Sequence, residues 1–138
     1  MAKLKVIPDT DTFHFFNANP KCRRTGDCVV RAISSYLGRT WECVYVDLAY
    51  YGIEHGTAMD CPETYVGYLK QQGHTKLPMP RRDDNTRYTA AEFCKEIAKP
   101  GRVYLLSLAG HLTFVGVDRR IWDTWDCGGK SVGNYWVY

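Results

Sequence analysis

The chain has 138 residues, 45% hydrophobic and 24% charged, which suits one globular domain over residues 1–138 and excludes a disordered polymer. No apolar run approaches the ~18 residues that a spanning helix needs. The opening MAKLKVIPDT shows no small-residue cleavage site, so a cytoplasmic protein without membrane contact is expected. The net charge of +3 is slight, and the arginine pairs 23–24, 81–82 and 119–120 fall in predicted loops, which argues against a nucleic-acid partner.

Residues 3–7, KLKVI, read as a short edge strand, and FHFFNANP reads as an aromatic loop closing on Pro20. From Asp27 the period becomes helical. Val29, Val30, Ile33, Tyr36 and Leu37 recur at spacings of three and four, and Gly38 ends the helix. Thr40 is placed to cap a second helix that carries Val44, Val46, Leu48 and Tyr51 up to Gly52. Pro62 suits the first turn of a third, ETYVGYLKQQ, which stops at Gly73. After the loop TKLPMPRRDDNTR, Thr89 and Glu92 have capping-box spacing at the head of TAAEFCKEIAK, which Pro100-Gly101 terminates. RVYLLSLA reads as a buried strand, HLTFVGVD alternates toward a turn at Asp118-Arg119-Arg120, IWDTW returns, and VGNYWVY closes the chain. Helices first and an antiparallel sheet last make an α+β domain.

The six cysteines are Cys22, Cys28, Cys43, Cys61, Cys94 and Cys127. There is no C-x-x-C pair and no histidine pair at helical spacing, so neither a metal nor a cofactor is expected. The composition is not that of a disulfide scaffold, and most of the thiols read as small buried hydrophobes. Cys28 is placed differently. It lies in the first turn of a helix, where unpaired N–H groups and a cationic histidine lower a thiol's pKa. His111 opens a strand directly after Gly110, and the glycine leaves room for a ligand to approach. Asp123, on the returning strand, can accept from the other imidazole nitrogen and fix its tautomer. Asp126 is the alternative orienter, but strand alternation puts it on the face opposite Asp123. His14, His55 and His74 lie in a loop or beside glycines near helix ends, where capping or exposure accounts for them. Taken singly, a cysteine in an apolar helix and a histidine at a strand start are ordinary structural residues. Together with an aspartate on a hairpin, in this order, they match nucleophilic thiol catalysis.

The same segments resemble the papain-like cysteine peptidase superfamily. GDCVVRAIS stands where papain-type enzymes carry G-x-C-W-A-F-S, HLTFVGVD where they carry H-A-V-x-x-V-G-Y, and DTW where they carry N-S-W. The nucleophile segment is also similar to the D-G-x-C-x-x-R-A-I box of ovarian-tumour-type deubiquitinases. An Asp after the His is similar to bacteriocin-processing peptidases. The resemblance implies a compact papain-like α+β fold whose nucleophile helix packs on a C-terminal antiparallel sheet. It implies a cysteine peptidase cutting a peptide or isopeptide bond of a protein or peptide substrate. Cys28 is then the nucleophile, His111 the base and later the acid, and Asp123 the orienter, while Trp125 shields the His–Asp pair from water. An amide at position 123 is expected to keep a reduced rate, because papain itself uses Asn there.

Two departures stand out. Many relatives place an oxyanion-stabilising Gln six residues before the cysteine, where this chain has Cys22. The Cys28 N–H still needs a second donor, and Asn19 and Asn17 are the nearby uncharged amides, with Asn19 the first choice. The chain is also much shorter than papain, so its substrate-binding walls are expected to be reduced. Two further functions use the same framework. One is a transglutaminase-like acyltransferase, in which an amine rather than water resolves the thioester. The other is a catalytically inactive binding or inhibitor module of phage or mobile-element origin, which the missing Gln favours. The pattern leaves the oligomeric state open.

Overall fold

The computed structural model describes residues 5–138, and its elements run β1 (Phe13–Phe15), α1 (Cys28–Leu37), α2 (Trp41–His55), α3 (Pro62–Gln71), α4 (Ala90–Glu96), β2 (Tyr104–Leu108), β3 (His111–Val115), β4 (Ile121–Asp123) and β5 (Tyr135–Val137). The five strands form one sheet in the order β1-β4-β3-β2-β5. Strands β4, β3, β2 and β5 are antiparallel neighbours, whereas β1 joins β4 in parallel, with Phe13 opposite Ile121 and Phe15 opposite Asp123. The domain is therefore mixed α and β, with an N-terminal parallel edge on an otherwise C-terminal sheet.

Period-two alternation divides the core into two layers. Leu105, Leu112, Phe114 and Trp136 face α1, α2 and α3, where they meet Val30, Ile33, Val44, Leu48 and Leu69. Tyr104, Leu106, Val115 and Ile121 face the other way and pack with Phe13 and with Ala90, Phe93 and Cys94 of α4. Helices thus cover both faces, and α1 lies against the sheet's centre.

The expected elements are present, with five differences. Residues 5–7 of the expected KLKVI strand are irregular, and residues 3 and 4 lie outside the described residues. FHFFNANP is a loop only from Phe16 onward. Its first three residues form β1, because Phe13 is fully buried against α4's layer. Helix α2 does not stop at Gly52 but runs a turn further to a left-handed Gly56. Gly52 is a packing position, since a Cβ there would lie 2.4 Å from the Thr57 carbonyl oxygen. Val46, expected on the buried stripe of α2, is 64% exposed. Helix α4 is shorter than TAAEFCKEIAK: the Thr89–Glu92 capping box is complete, but the helix ends at Glu96, before Pro100 and Gly101.

Loop charges are absorbed locally. Arg82 pairs with Glu92 and Glu96, Arg120 with Asp118 and Asp9, and Arg119 donates to the carbonyls of Cys94 and Lys95. All six thiols are free. Among the described residues no helix is long and apolar enough to cross a membrane.

Candidate active site

Cys28 is the first residue of α1, and the helix presents it to the sheet through an unusual start. Asp27 occupies the N-cap position, yet its side chain makes no capping bond to the first turn. An aspartate there ordinarily accepts from the N2 or N3 amide. Here both carboxylate oxygens are turned inward. Oδ1 pairs with Arg31 Nη1, and Oδ2 accepts from Asn19 Nδ2 at 3.1 Å and from Trp41 Nε1 at 3.0 Å. The amides of the first turn are left without a capping side chain, next to the sulfur.

His111 follows a two-residue turn, Ala109-Gly110, in which Gly110 is left-handed (φ 66). Nothing lies within 4 Å of a Cβ built on Gly110, so the turn's conformation, rather than clearance for a ligand, requires the glycine. The β3–β4 ladder ends at Phe114–Trp122, and past it side chains bridge the two strands. His111 Nε2 and Asp123 Oδ2 are 2.7 Å apart, and Thr113 Oγ1 donates to the same oxygen at 2.6 Å. The Cys28 sulfur adjoins the His111 ring and the Leu112 backbone N–H, and both favour its charged form. With Nε2 held by the carboxylate, Nδ1 is the nitrogen left for the thiol. The three residues expected to act together are brought together in the expected order.

The electrostatics favour an ion pair. Burial raises the Cys28 thiol, but the His111 hydrogen bond, the Leu112 N–H and the charges of His111 and Arg31 outweigh it and bring its pKa below the ordinary value. Burial pulls His111 down, but its bonds to Asp123, Cys127 and Cys28 more than reverse this and push it up to about 11. Burial alone would raise Asp123; the His111 bond and charge, Thr113 and the Thr124 N–H together hold it below the usual carboxylate range. These shifts all run in the same direction, toward thiolate, imidazolium and carboxylate. The signs oppose each other across the pair. The lowered thiol adds stability above its unfolded value, lost as pH falls through the folded one; the raised histidine adds it below ~6.5, lost as pH rises through about 11.

Alkylation rates should carry this signature. Iodoacetamide modification of Cys28, followed by peptide mapping, is expected to inflect below the ~8.5 of a free thiol, and His111→Ala should remove the inflection. Cys61 is the internal control. Its thiol is also lowered, but through the Thr64 hydroxyl and amide, and it should not respond to His111→Ala. Cys94, pushed up to about 12 mainly by burial, should stay unreactive. A Cys28 profile unchanged by His111→Ala would exclude the ion pair.

Arg31 is the residue that the sequence pattern did not single out. It lies on α1 three residues after Cys28, is only 8% exposed, and links Asp27 to Asp123, with Nη2 3.3 Å from Asp123 Oδ1. A chain of polar contacts thus runs Asn19–Asp27–Arg31–Asp123–His111–Cys28 and ties the nucleophile helix to the orienting strand. An arginine on an apolar helix face, four residues after an aspartate, was the available signal. Arg31→Met keeps the bulk but leaves the buried Asp27 carboxylate without a cation and Asp123 with His111 alone. It should destabilise the fold by about 3 kcal/mol in urea unfolding. The loss should shrink when Asp27→Asn is added, because one orphaned charge is then removed.

The remaining candidates divide. Trp125 packs on His111, with ring centroids 4.9 Å apart, and remains 38% exposed, so it covers the imidazole from the solvent side. Asp126 is not an orienter. β4 has ended by then, and the Asp126 carboxylate accepts the Gly128 N–H at 3.0 Å. Asn19 is 4% exposed, and its amide nitrogen is turned to Asp27 rather than to the space beside Cys28. Asn17 accepts the Asn19 N–H at 3.0 Å, and its Nδ2 is buried without a partner. Neither asparagine lines the clefts that open at Cys28. His14, His55 and His74 bond Asp9, the Tyr51 carbonyl and Tyr36, respectively. Cys127 is buried, with its sulfur 3.9 Å from Asp123 Oδ2. His111, Asp123 and Cys127 bring one donor atom each to within 4.8 Å of one another, a spacing set by the His111–Asp123 hydrogen bond and the Cys127–Asp123 contact. No protein-family model, curated protein or solved structure matches the chain.

Proposed function

We propose that this protein is a thiol hydrolase of papain-like architecture that cleaves a peptide or isopeptide bond. The observation that carries the reading is the His111 imidazole held between the Cys28 sulfur and the Asp123 carboxylate. An imidazole whose Nε2 is held by a carboxylate has its orientation and tautomer fixed, with its other nitrogen left for proton exchange with a helix-start thiol.

The Cys28 thiolate attacks the substrate carbonyl carbon, forming the C–S bond and placing negative charge on the oxygen. The Cys28 N–H and its neighbours at the uncapped start of α1 meet that oxygen. The His111 imidazolium, through Nδ1, protonates the leaving nitrogen as the C–N bond breaks, giving an amine and a thioester. Neutral His111 then takes a proton from water, whose oxygen attacks the thioester. Collapse releases the acid and restores the thiolate–imidazolium pair. Asp123 keeps Nε2–H donated to itself throughout and stabilises the cationic ring. Trp125 limits water at the His–Asp bond.

An electrophilic amide probe tests the reading directly. It should label Cys28 ahead of the other five thiols, and labelling should fall sharply in His111→Ala. Equal labelling of Cys22, Cys43 and Cys28 would mean that Cys28 is an ordinary thiol.

A further inference from the structure

Cys28 and His111 line two clefts at once. One, of about 510 Å³, is walled by Lys5, Ile7, Arg24, Thr25, Gly26 and Trp125, with Arg31 at its base. The other, of about 350 Å³, is walled by Asp60, Pro62, Tyr65, Ser107 and Leu108. Their charges are opposite. Among the described residues the first cleft carries Lys5, Arg24 and Arg31 and no carboxylate, while in the second Asp60 is the single acidic side chain and no lysine or arginine is present. Arg31 is neutralised by its two aspartates, but no ion pair within the described residues engages Lys5, Arg24 or Asp60. Free charges of one sign in a concave wall raise the local concentration of the opposite charge.

Because both clefts open at Cys28 and His111, a chain laid across the nucleophile can place one flank in each. On the hydrolase reading above, we infer that the substrate is a charge-polarised peptide. It carries acidic side chains on the flank beside Lys5, Arg24 and Trp125 and basic ones on the flank beside Asp60. Trp125 and Ile7 add apolar wall to the basic cleft, so an acidic residue with an apolar neighbour fits it best. Tyr65, which lines the other cleft beside Ser107, offers a ring next to the position for a basic side chain.

The test uses three capped, fluorescein-labelled decapeptides built on a central Gly-Gly. One has Glu-Glu before it and Lys-Lys after it, one has the reverse order, and one has Ser at all four positions. Binding is measured by anisotropy on Cys28→Ala, and cleavage by mass spectrometry on the unmodified protein. One polarity should be bound and cleaved about tenfold better than the other, from three exposed charge pairs each worth a factor of about two to five. The gap should shrink severalfold between about 50 and 500 mM salt. Lys5→Glu/Arg24→Glu/Asp60→Lys should reverse the order, and Arg24→Glu alone should halve the gap or better; all of these positions are exposed, and circular dichroism checks the fold.

The outcomes separate the two ideas. If Cys28→Ala sorts the peptides by polarity while the unmodified protein cleaves none, the substrate inference stands and the hydrolase reading fails. If all three peptides are cleaved alike, the hydrolase reading stands and polarity is overturned. Equal binding of the two polar peptides, or no binding of either up to about 1 mM, overturns it as well.

Discussion

Cys28→Ala is expected to abolish turnover while leaving the fold nearly intact. The sulfur sits at the mouth of two clefts and is only partly buried, whereas α1 is anchored by Val30, Ile33 and Tyr36 beneath it. Removing one atom there opens no sealed cavity, so the cost in stability should be about 1 kcal/mol or less. The loss of activity should be complete, because no other group is positioned to form the thioester. A buried structural cysteine shows the reverse: a clear fall in melting temperature, with activity lost only as folded protein is lost. Cys94 provides that comparison, since it lies in the core between α4 and the sheet. The decisive measurement is activity of Cys28→Ala and Cys94→Ala at matched folded concentration. Full activity of Cys28→Ala would assign the protein's action to binding and leave the thiol without a role.

What was legible in the sequence follows how local the physics is. Helix α1 could be bounded to the residue, because Asp27 and Gly38 flank an unbroken stripe of Val29, Val30, Ile33 and Tyr36. The Cys–His–Asp set was legible because each member sits at the start or end of an element, where a side chain's direction follows from the backbone. Strand β1 was not, since three residues followed by Asn-Ala-Asn-Pro carry too little pattern, and its partner β4 lies at the far end of the chain. The end of α2 is not legible, because Gly52 has the form of a stop signal, whereas the Thr57 carbonyl packed against it is a tertiary fact. By elimination, Asn19 reads as an oxyanion donor. Its actual partner, Asp27, became available only because Arg31 draws that carboxylate off the helix cap. A buried polar network is set by all its members together, and no pairwise spacing displays it.

Asp123→Asn should be far more damaging than the resemblance to papain implies. In papain-type enzymes an asparagine serves at this position, but the surroundings of Asp123 are built for a carboxylate. Oδ2 faces His111 Nε2 at 2.7 Å and the Thr113 hydroxyl at 2.6 Å, while Oδ1 faces Arg31 Nη2 at 3.3 Å and the Thr124 N–H at 2.7 Å. Every partner is a donor to an ionised acceptor, and an amide offers only one acceptor oxygen. If the amide oxygen is turned to His111, the NH₂ meets two donors at Arg31 and Thr124, leaving a buried guanidinium with Asp27 alone. If it is turned to Arg31, the NH₂ faces Nε2 and forces the proton onto Nδ1, which leaves the imidazole unable to be an imidazolium beside the thiolate. Either orientation removes the charge that lifts His111, so the Cys28 pKa should return toward an ordinary thiol's. Misplacing the tautomer in this way costs on the order of 10⁴ in kcat in a serine triad, and a fall of about 10³ to 10⁴ is expected here. Two measurements separate this from simple unfolding: the alkylation inflection of Cys28 should move up in pH, and the acid limb of kcat/KM should move with it. Thr113→Ala removes one donor and leaves the carboxylate, so its activity should fall only severalfold. A variant with Asn at 123 that keeps more than about a tenth of the activity would show that the Arg31–Asp123 link is structural and that the imidazole is oriented by something else.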